Sequence, residues 1–162
     1  MVKVGNSPSP GKSEVRLDEV SRRIIEALQE DGRRSYAAIA KSVGLSEAAV
    51  RQRVARLLEA EVMQIVAVTD PLQVGFARQA MVGIRVEGAI SPVAAELAAM
   101  NEVDYVVTTA GSFDILAEVV CEDDDHLLDL VGRRIRTLAG VSSTETFVYL
   151  QLNKQHYNWG TR

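Results

Sequence analysis

The chain has 162 residues, 47% apolar and 25% charged, globular proportions with room for one ordinary domain or two small ones, which excludes a wholly disordered or collagen-like chain. Its apolar runs are only a few residues long, such as Val119-Val120-Cys121 and Ala98-Ala99-Met100, too short to span a bilayer, and the single cysteine, Cys121, cannot form an internal disulfide and fits a cytoplasmic protein. The net charge of −4 divides unevenly: residues 1–70 hold 11 Lys+Arg against 10 Asp+Glu and residues 71–162 hold 7 against 12, a contrast that suggests two jobs but leaves the first half too weakly basic for charge alone to argue nucleic-acid binding.

Met1 to Ser13 reads as a flexible tail without the apolar stretch of a signal peptide. Leu17, Val20, Ile24 and Leu28 then form one stripe of a helix, with Asp18 and Glu19 in its first turn and Asp31-Gly32 as its stop. Ser35 is the expected N-cap of a short second helix that Gly44 ends in a left-handed conformation. Ser46 is the N-cap of a third, with Val50, Val54, Leu57 and Leu58 on one face. Val62 to Thr69 is β-branched and strand-like, and Asp70-Pro71 breaks it.

Beyond Pro71, Ala80 to Glu87 alternates as a strand, and Ser91-Pro92 opens a helix to about Met100, with proline at its first position. Val103–Ala110 and Ile115–Cys121 are strands around a turn at Gly111–Asp114. Asp123–Leu138 reads as one helix, closed by Gly140, and Val141–Leu152 as the last strand. The order β-α-β-β-α-β is the ferredoxin-like pattern. The expected fold is therefore α+β: an N-terminal winged helix-turn-helix followed by a C-terminal ferredoxin-like βαββαβ domain. The boundaries are a tail over 1–14, the winged unit over 15–70, a linker over 71–79, the ferredoxin-like domain over 80–154 and a second tail over 155–162.

The link Val43-Gly44-Leu45-Ser46 holds the glycine of a helix-turn-helix. At about 100° per residue, Ala48, Gln52 and Arg56 lie opposite the apolar stripe of the third helix, with Arg51 and Arg53 on its flanks. Small Ala48 admits a groove, Gln52 and Arg56 suit base edges, and Arg51 and Arg53 suit phosphates. The helix starts at Ser35 and Ser46 offer backbone N–H groups to phosphates. The alternative is a packing module with a solvated basic face.

These motifs resemble the Lrp/AsnC (leucine-responsive and asparagine regulator) family. The resemblance runs through Leu17-Asp18-Glu19, Ile24-Ile25, Leu28–Arg33, Ile39-Ala40, Val43–Ser46, Val50–Val54 and Arg56-Leu57. It continues through Asp70-Pro71-Leu72, Val74-Gly75-Phe76, Thr109–Asp114 and Gly140-Val141. Glu61 departs from it, standing where the family usually has glycine. The resemblance implies a sequence-specific regulator of double-stranded DNA that assembles as dimers or octamers, and an amino-acid effector bound at the loop Gly111, Ser112, Phe113 and Asp114. Thr144 and Thr146, on one face of the last strand, complete such a pocket or merely stabilise a sheet.

Read from residues alone, the 111–114 segment is a hairpin turn with a glycine at positive φ and a capping aspartate. Glu122–Asp125 is explained by its place at a helix start, and it lacks the pattern of a Ca²⁺ loop. His126 and His156 are too few and scattered for a metal site. Neither a phosphate loop nor a catalytic constellation occurs in the sequence, so no cofactor and no enzyme activity is expected. A small-molecule binder or enzyme on the ferredoxin-like half remains the alternative. Both parities of Val103–Ala110 and Ile115–Cys121 are largely apolar, so the sheet is expected to pair with a second copy.

Overall fold

Helix α1, Glu19–Glu30, starts where Asp18 accepts a hydrogen bond from the Ser21 N–H at 2.8 Å, satisfying one of the donors a helix start leaves open. The computed structural model describes residues 17–155 and 158–162; the tail expected over 1–14 and His156 lie outside them. Helix α2 is Tyr36–Val43 and α3 is Glu47–Glu59. The hydroxyls of Ser35 and Ser46 cap them, accepting from Ala38 N–H and Ala49 N–H at 3.2 Å. Gly44 takes φ 73°, so that the Leu45 N–H turns back to the Ala40 carbonyl at 3.0 Å. Ile24, Ile39 and Val50 are fully buried where the three helices meet; each such side chain removed from water contributes about 1.5–3 kcal/mol.

The end of α3 repeats the device with an unusual residue. The Glu61 N–H reaches the Leu58 carbonyl and the Val62 N–H the Leu57 carbonyl, both at 3.0 Å. This Schellman arrangement requires a left-handed residue. That residue is Glu61, at φ 55°, the only non-glycine with positive φ among the described residues.

The strand expected over Val62–Thr69 is absent: the segment belongs to no sheet, and Val62, Ile65, Val66 and Val68 are exposed. β-branched composition favours extended backbone, but a strand forms only against a neighbour, and the single chain supplies none. The segment after Val62 thus lies outside any helix or sheet.

The described residues divide by contact into two units, one of residues 17–67 with the C-terminal residues from 154, the other Val68–Asn153. In the second, a turn at Pro71–Val74 leads to β1, Arg78–Val86. Helix α4 is Ile90–Ala98, β2 is Val103–Thr108 and β3 is Ile115–Cys121. Helix α5 is Asp124–Asp129, continued by a wider turn over Leu130–Ile135, and β4 is Val141–Val148. The sheet order is β2-β3-β1-β4, with every pair antiparallel. Ala80, Val82 and Ile84 of β1 and Ile115, Ala117 and Val119 of β3 are fully buried in the core that includes Val93 and Leu97 of α4, Leu127 of α5 and Leu130 of the turn after it. Cys121 joins that core, and burial pushes its thiol pKa up, as suits an unreactive thiol.

Several boundaries differ from the sequence expectation, three of them for a physical reason. Pro92 is the third residue of α4 rather than the first, because the helix begins at Ile90; its missing N–H still falls among the unpaired first-turn donors. The helix expected over Asp123–Leu138 widens after Asp129, where the Arg136 N–H bonds to the Val131 carbonyl five residues back at 3.1 Å. That spacing brings both Leu130 and Ile135 fully into the core. β4 stops at Val148 rather than Leu152 because β1, its partner, is exhausted: Val148 pairs with Ala80 near the start of β1, and Leu150 beyond it is 96% exposed.

Replacing Glu61 with glycine removes the left-handed strain of about 1–2 kcal/mol, partly offset by glycine's entropy. Glu61→Gly is expected to stabilise by about 0.5–1 kcal/mol, read as a higher urea midpoint at unchanged slope; an unchanged or lower midpoint contradicts the strained cap.

Candidate nucleic-acid interface and effector loop

The solvent side of α3 carries Glu47, Ala48, Arg51, Gln52, Ala55 and Arg56, while Val50, Val54 and Leu57 turn inward. Of the residues singled out in sequence, Ala48, Arg51, Gln52 and Arg56 thus share one exposed face. Ser35 and Ser46 are exposed as well, but their hydroxyls are spent on capping. Arg56 stays near its own turn, its Nε 3.5 Å from the Gln52 carbonyl. Arg51 is more constrained. Its Nη2 donates to Glu47 Oε1 at 2.6 Å, and its guanidinium lies 5.2 Å from the centre of the Tyr36 ring at the start of α2. Tyr36 and Glu47 were not singled out in the sequence; the i,i+4 spacing of Glu47 and Arg51 was the available signal.

The turn between β2 and β3 is braced by its own backbone. Thr109 N–H donates to the Asp114 carbonyl at 2.9 Å, the Thr109 hydroxyl to the Phe113 carbonyl at 2.5 Å, and Asp114 N–H to the Ile84 carbonyl at 3.0 Å. Asp114 Oδ2 accepts from the Val86 N–H at 2.8 Å. The β1–β4 register shifts between Arg85 and Val86, and the carboxylate serves the N–H at that irregularity. Gly111 does not have the positive φ expected of it, and a Cβ there would meet nothing within 4 Å. The turn's hydrogen bonds set its shape, and Ser112 and Gly111 stand exposed at its tip.

Thr144 and Thr146 do not join Phe113. They pair with Ile84 and Val82 and so share the helix-covered face, because directly opposed residues of a sheet point the same way. Phe113 lies on the other face, over Gly83, where a Cβ would come within 2.8 Å of its ring. Its ring meets Phe147 edge-on at 6.1 Å, and Arg85 lies over it at 5.5 Å. Gly83, Arg85 and Phe147 were missed in sequence; a glycine inside a strand, marking close approach of another group, was the signal. Tyr105 and Phe147 leave this open face exposed, with Met81, Val107 and Leu116 half-buried. Among the described residues no group of three or more His, Cys, Asp or Glu is arranged to hold a metal ion. The acidic run is absorbed locally: Asp123 caps α5 by accepting from His126 N–H at 2.7 Å, and Asp124 holds Arg78 through 2.5 and 2.7 Å bonds.

Arg53, expected on a flank of α3, is engaged with α1. Its Nη1 donates to Asp18 Oδ2 at 2.6 Å and to the Ser21 hydroxyl at 3.1 Å, and its side chain is only 27% exposed. It ties α3 to the cap of α1. The hydrogen bonds from Ser21, then that from Arg53, hold the Asp18 carboxyl at about 2, below its ordinary 3.8. A depressed carboxyl stabilises the fold above its unfolded pKa, and that stability is lost as pH falls through the folded value. Asp18 is half exposed, so solvent screening keeps the effect small. Asn caps a helix as well as Asp, so Asp18→Asn isolates the charge. The variant is expected to be less stable than the parent at neutral pH, with the gap closing from about pH 4 to about pH 2 in urea titrations; a gap constant with pH contradicts the ion pair.

Comparison with known proteins places both halves. The AsnC-type helix-turn-helix domain matches residues 17–58, and the PF0864 C-terminal dimeric alpha+beta barrel domain matches residues 76–162. The HTH-type transcriptional regulator PF1231 of Pyrococcus furiosus is 35% identical over 147 residues, which cover 87% of this chain and 97% of the relative. The crystal structure of the leucine response regulatory protein of Mycobacterium tuberculosis is 31% identical with a TM-score of 0.78, covering 86% of this chain and 96% of that one. The transcriptional regulator NMB0573 of Neisseria meningitidis, solved as an L-Met complex, shares the fold at 23% identity and a TM-score of 0.76, over 88% and 96% of the two chains. With its helix-turn-helix and its α+β half both matched, the chain belongs to the Lrp/AsnC family of transcriptional regulators.

Proposed function

We propose that this regulator binds a specific double-stranded DNA site by laying α3 in the major groove, and that an amino acid bound by its C-terminal unit modulates its assembly. The carrying observation is the exposed face of α3, where Arg51, Gln52 and Arg56 surround small Ala48. Arginine and glutamine side chains suit the donor and acceptor patterns of base edges, and alanine lets the helix approach. Assembly as a dimer through the open sheet face is supported by its apolar residues and by the dimeric domain that the chain matches. A dimer presents two recognition helices to two half-sites, and further pairing of dimers gives octamers. An amino-acid effector is supported by the L-Met complex of the Neisseria neighbour and by the exposed turn tip at Gly111 and Ser112. Asp114 is placed to act mainly by holding that turn, because one carboxylate oxygen already accepts from Val86.

The test is fluorescence anisotropy with DNA from upstream of the chain's own gene, joined to calorimetry against the twenty amino acids. The parent is expected to bind one segment in preference to bulk DNA, and Arg51→Ala/Arg56→Ala to lose at least roughly tenfold in affinity while remaining folded, given the 1–3 kcal/mol of one good base contact. One amino acid is expected to bind at millimolar concentration or tighter and to shift the oligomer distribution in light scattering. Unchanged DNA affinity in the double variant contradicts the docking face; no amino-acid binding contradicts the effector.

A further inference from the structure

Arg51 sits in a setting that a phosphate contact would not favour. Its guanidinium is bound to the Glu47 carboxylate at 2.6 Å and rests against the Tyr36 ring. A phosphate approaching Arg51 would meet the negative charge of Glu47 beside it, and like charges in contact repel. A base edge carries no such charge. Guanine offers two acceptors, O6 and N7, to a planar arginine fork, and its paired cytosine offers the N4 amino group, a donor that suits a carboxylate. Arg51 and Glu47 together therefore present donors and an acceptor side by side, the complement of one guanine–cytosine pair in the major groove. Adenine also carries an amino group, but its N7 acceptor lies beside it and repels a carboxylate.

We infer that Glu47 and Arg51 form a base-pair-reading unit for a G·C pair under the first turns of α3, with Tyr36 as its positioning residue; this rests on the DNA-binding reading above. Arg51 takes guanine O6 and N7 while Glu47 steadies it and accepts from cytosine N4. Both side chains are half exposed or more, 64% for Arg51 and 50% for Glu47, so they are open to a groove. Only one of the five guanidinium N–H groups is given to Glu47, which leaves enough for a two-point contact. The stack on Tyr36 and the ion pair restrict a side chain that would otherwise lose much rotamer freedom on docking, so the reading geometry is set before DNA arrives. Glu47 also lies in the first turn of α3, where its charge suits the helix dipole, so the unit costs the fold little.

The experiment is competition binding of the full chain to its preferred DNA site and to every single-base-pair variant of it, for the parent, Glu47→Gln, Tyr36→Phe and Tyr36→Leu. Each preference is expressed as a ratio of affinities, so that a general gain from removing a negative charge cancels. The parent is expected to reject any change at one G·C pair by roughly 5- to 150-fold. Glu47→Gln should flatten the preference at that pair and leave the others. Tyr36→Leu should weaken it at the same pair, and Tyr36→Phe, which keeps the ring, should retain it. If Glu47→Gln leaves every base preference unchanged, or if Tyr36→Phe fails as Tyr36→Leu does, the inference is overturned while the DNA-binding reading stands. If the parent itself shows no sequence preference, that reading fails and the inference with it.

Discussion

The directional contact of the DNA-binding half is the bond from Arg53 to the cap of α1. Three short helices pack around a small core, and a recognition helix is useful only if its angle to its neighbours is fixed. Apolar contacts between Ile24, Ile39, Val50 and Val54 hold the helices together but are non-directional. The Arg53 guanidinium adds direction, because Asp18 and the hydroxyl of Ser21 accept from it at set distances. Asp18 is at the same time the N-cap of α1, so one carboxylate serves both the start of one helix and the orientation of another. The consequence is a division of labour along α3. Arg53 is engaged with α1, and the exposed cations of α3 are Arg51 and Arg56.

The C-terminal half is organised by a comparable constraint at Gly83. The strand can accommodate the Phe113 ring because no Cβ occupies that place. The ring brings the tip of the β2–β3 turn onto the open sheet face, beside Phe147 and Arg85. Asp114 fixes the other side of the turn at the irregularity in β1. The turn is thus held from both sides by β1.

The legible parts of the fold were those set by neighbours close in sequence. Ser35, Ser46 and Gly44 could be placed as caps because capping involves only three or four residues. The resemblance to the Lrp/AsnC family was legible too, since its motifs keep their order along the chain. The strands β1, β2 and β3 were legible from alternation, but details that depend on a distant partner were not. The 62–69 segment has strand composition but no neighbour in the chain, β4 ends where β1 does, and α5 widens to bring Leu130 and Ile135 into one core. Helical periodicity placed Arg53 on a flank of α3 but could not show that Asp18, 35 residues earlier, waits there. Alternation put Thr144 and Thr146 on one face, yet only the register with β1 decides which face that is.

If Arg53 orients α3 rather than touching DNA, its loss leaves the salt dependence of DNA binding unchanged. Each phosphate contact removed lowers the slope of log affinity against log salt by about 0.9. The measurement is that slope for the parent and for Arg53→Ala, at a temperature where urea unfolding shows both to be folded. The expected result is a less stable variant with the same slope. A variant of unchanged stability whose slope is smaller by about 0.9 would contradict it and return Arg53 to the DNA backbone.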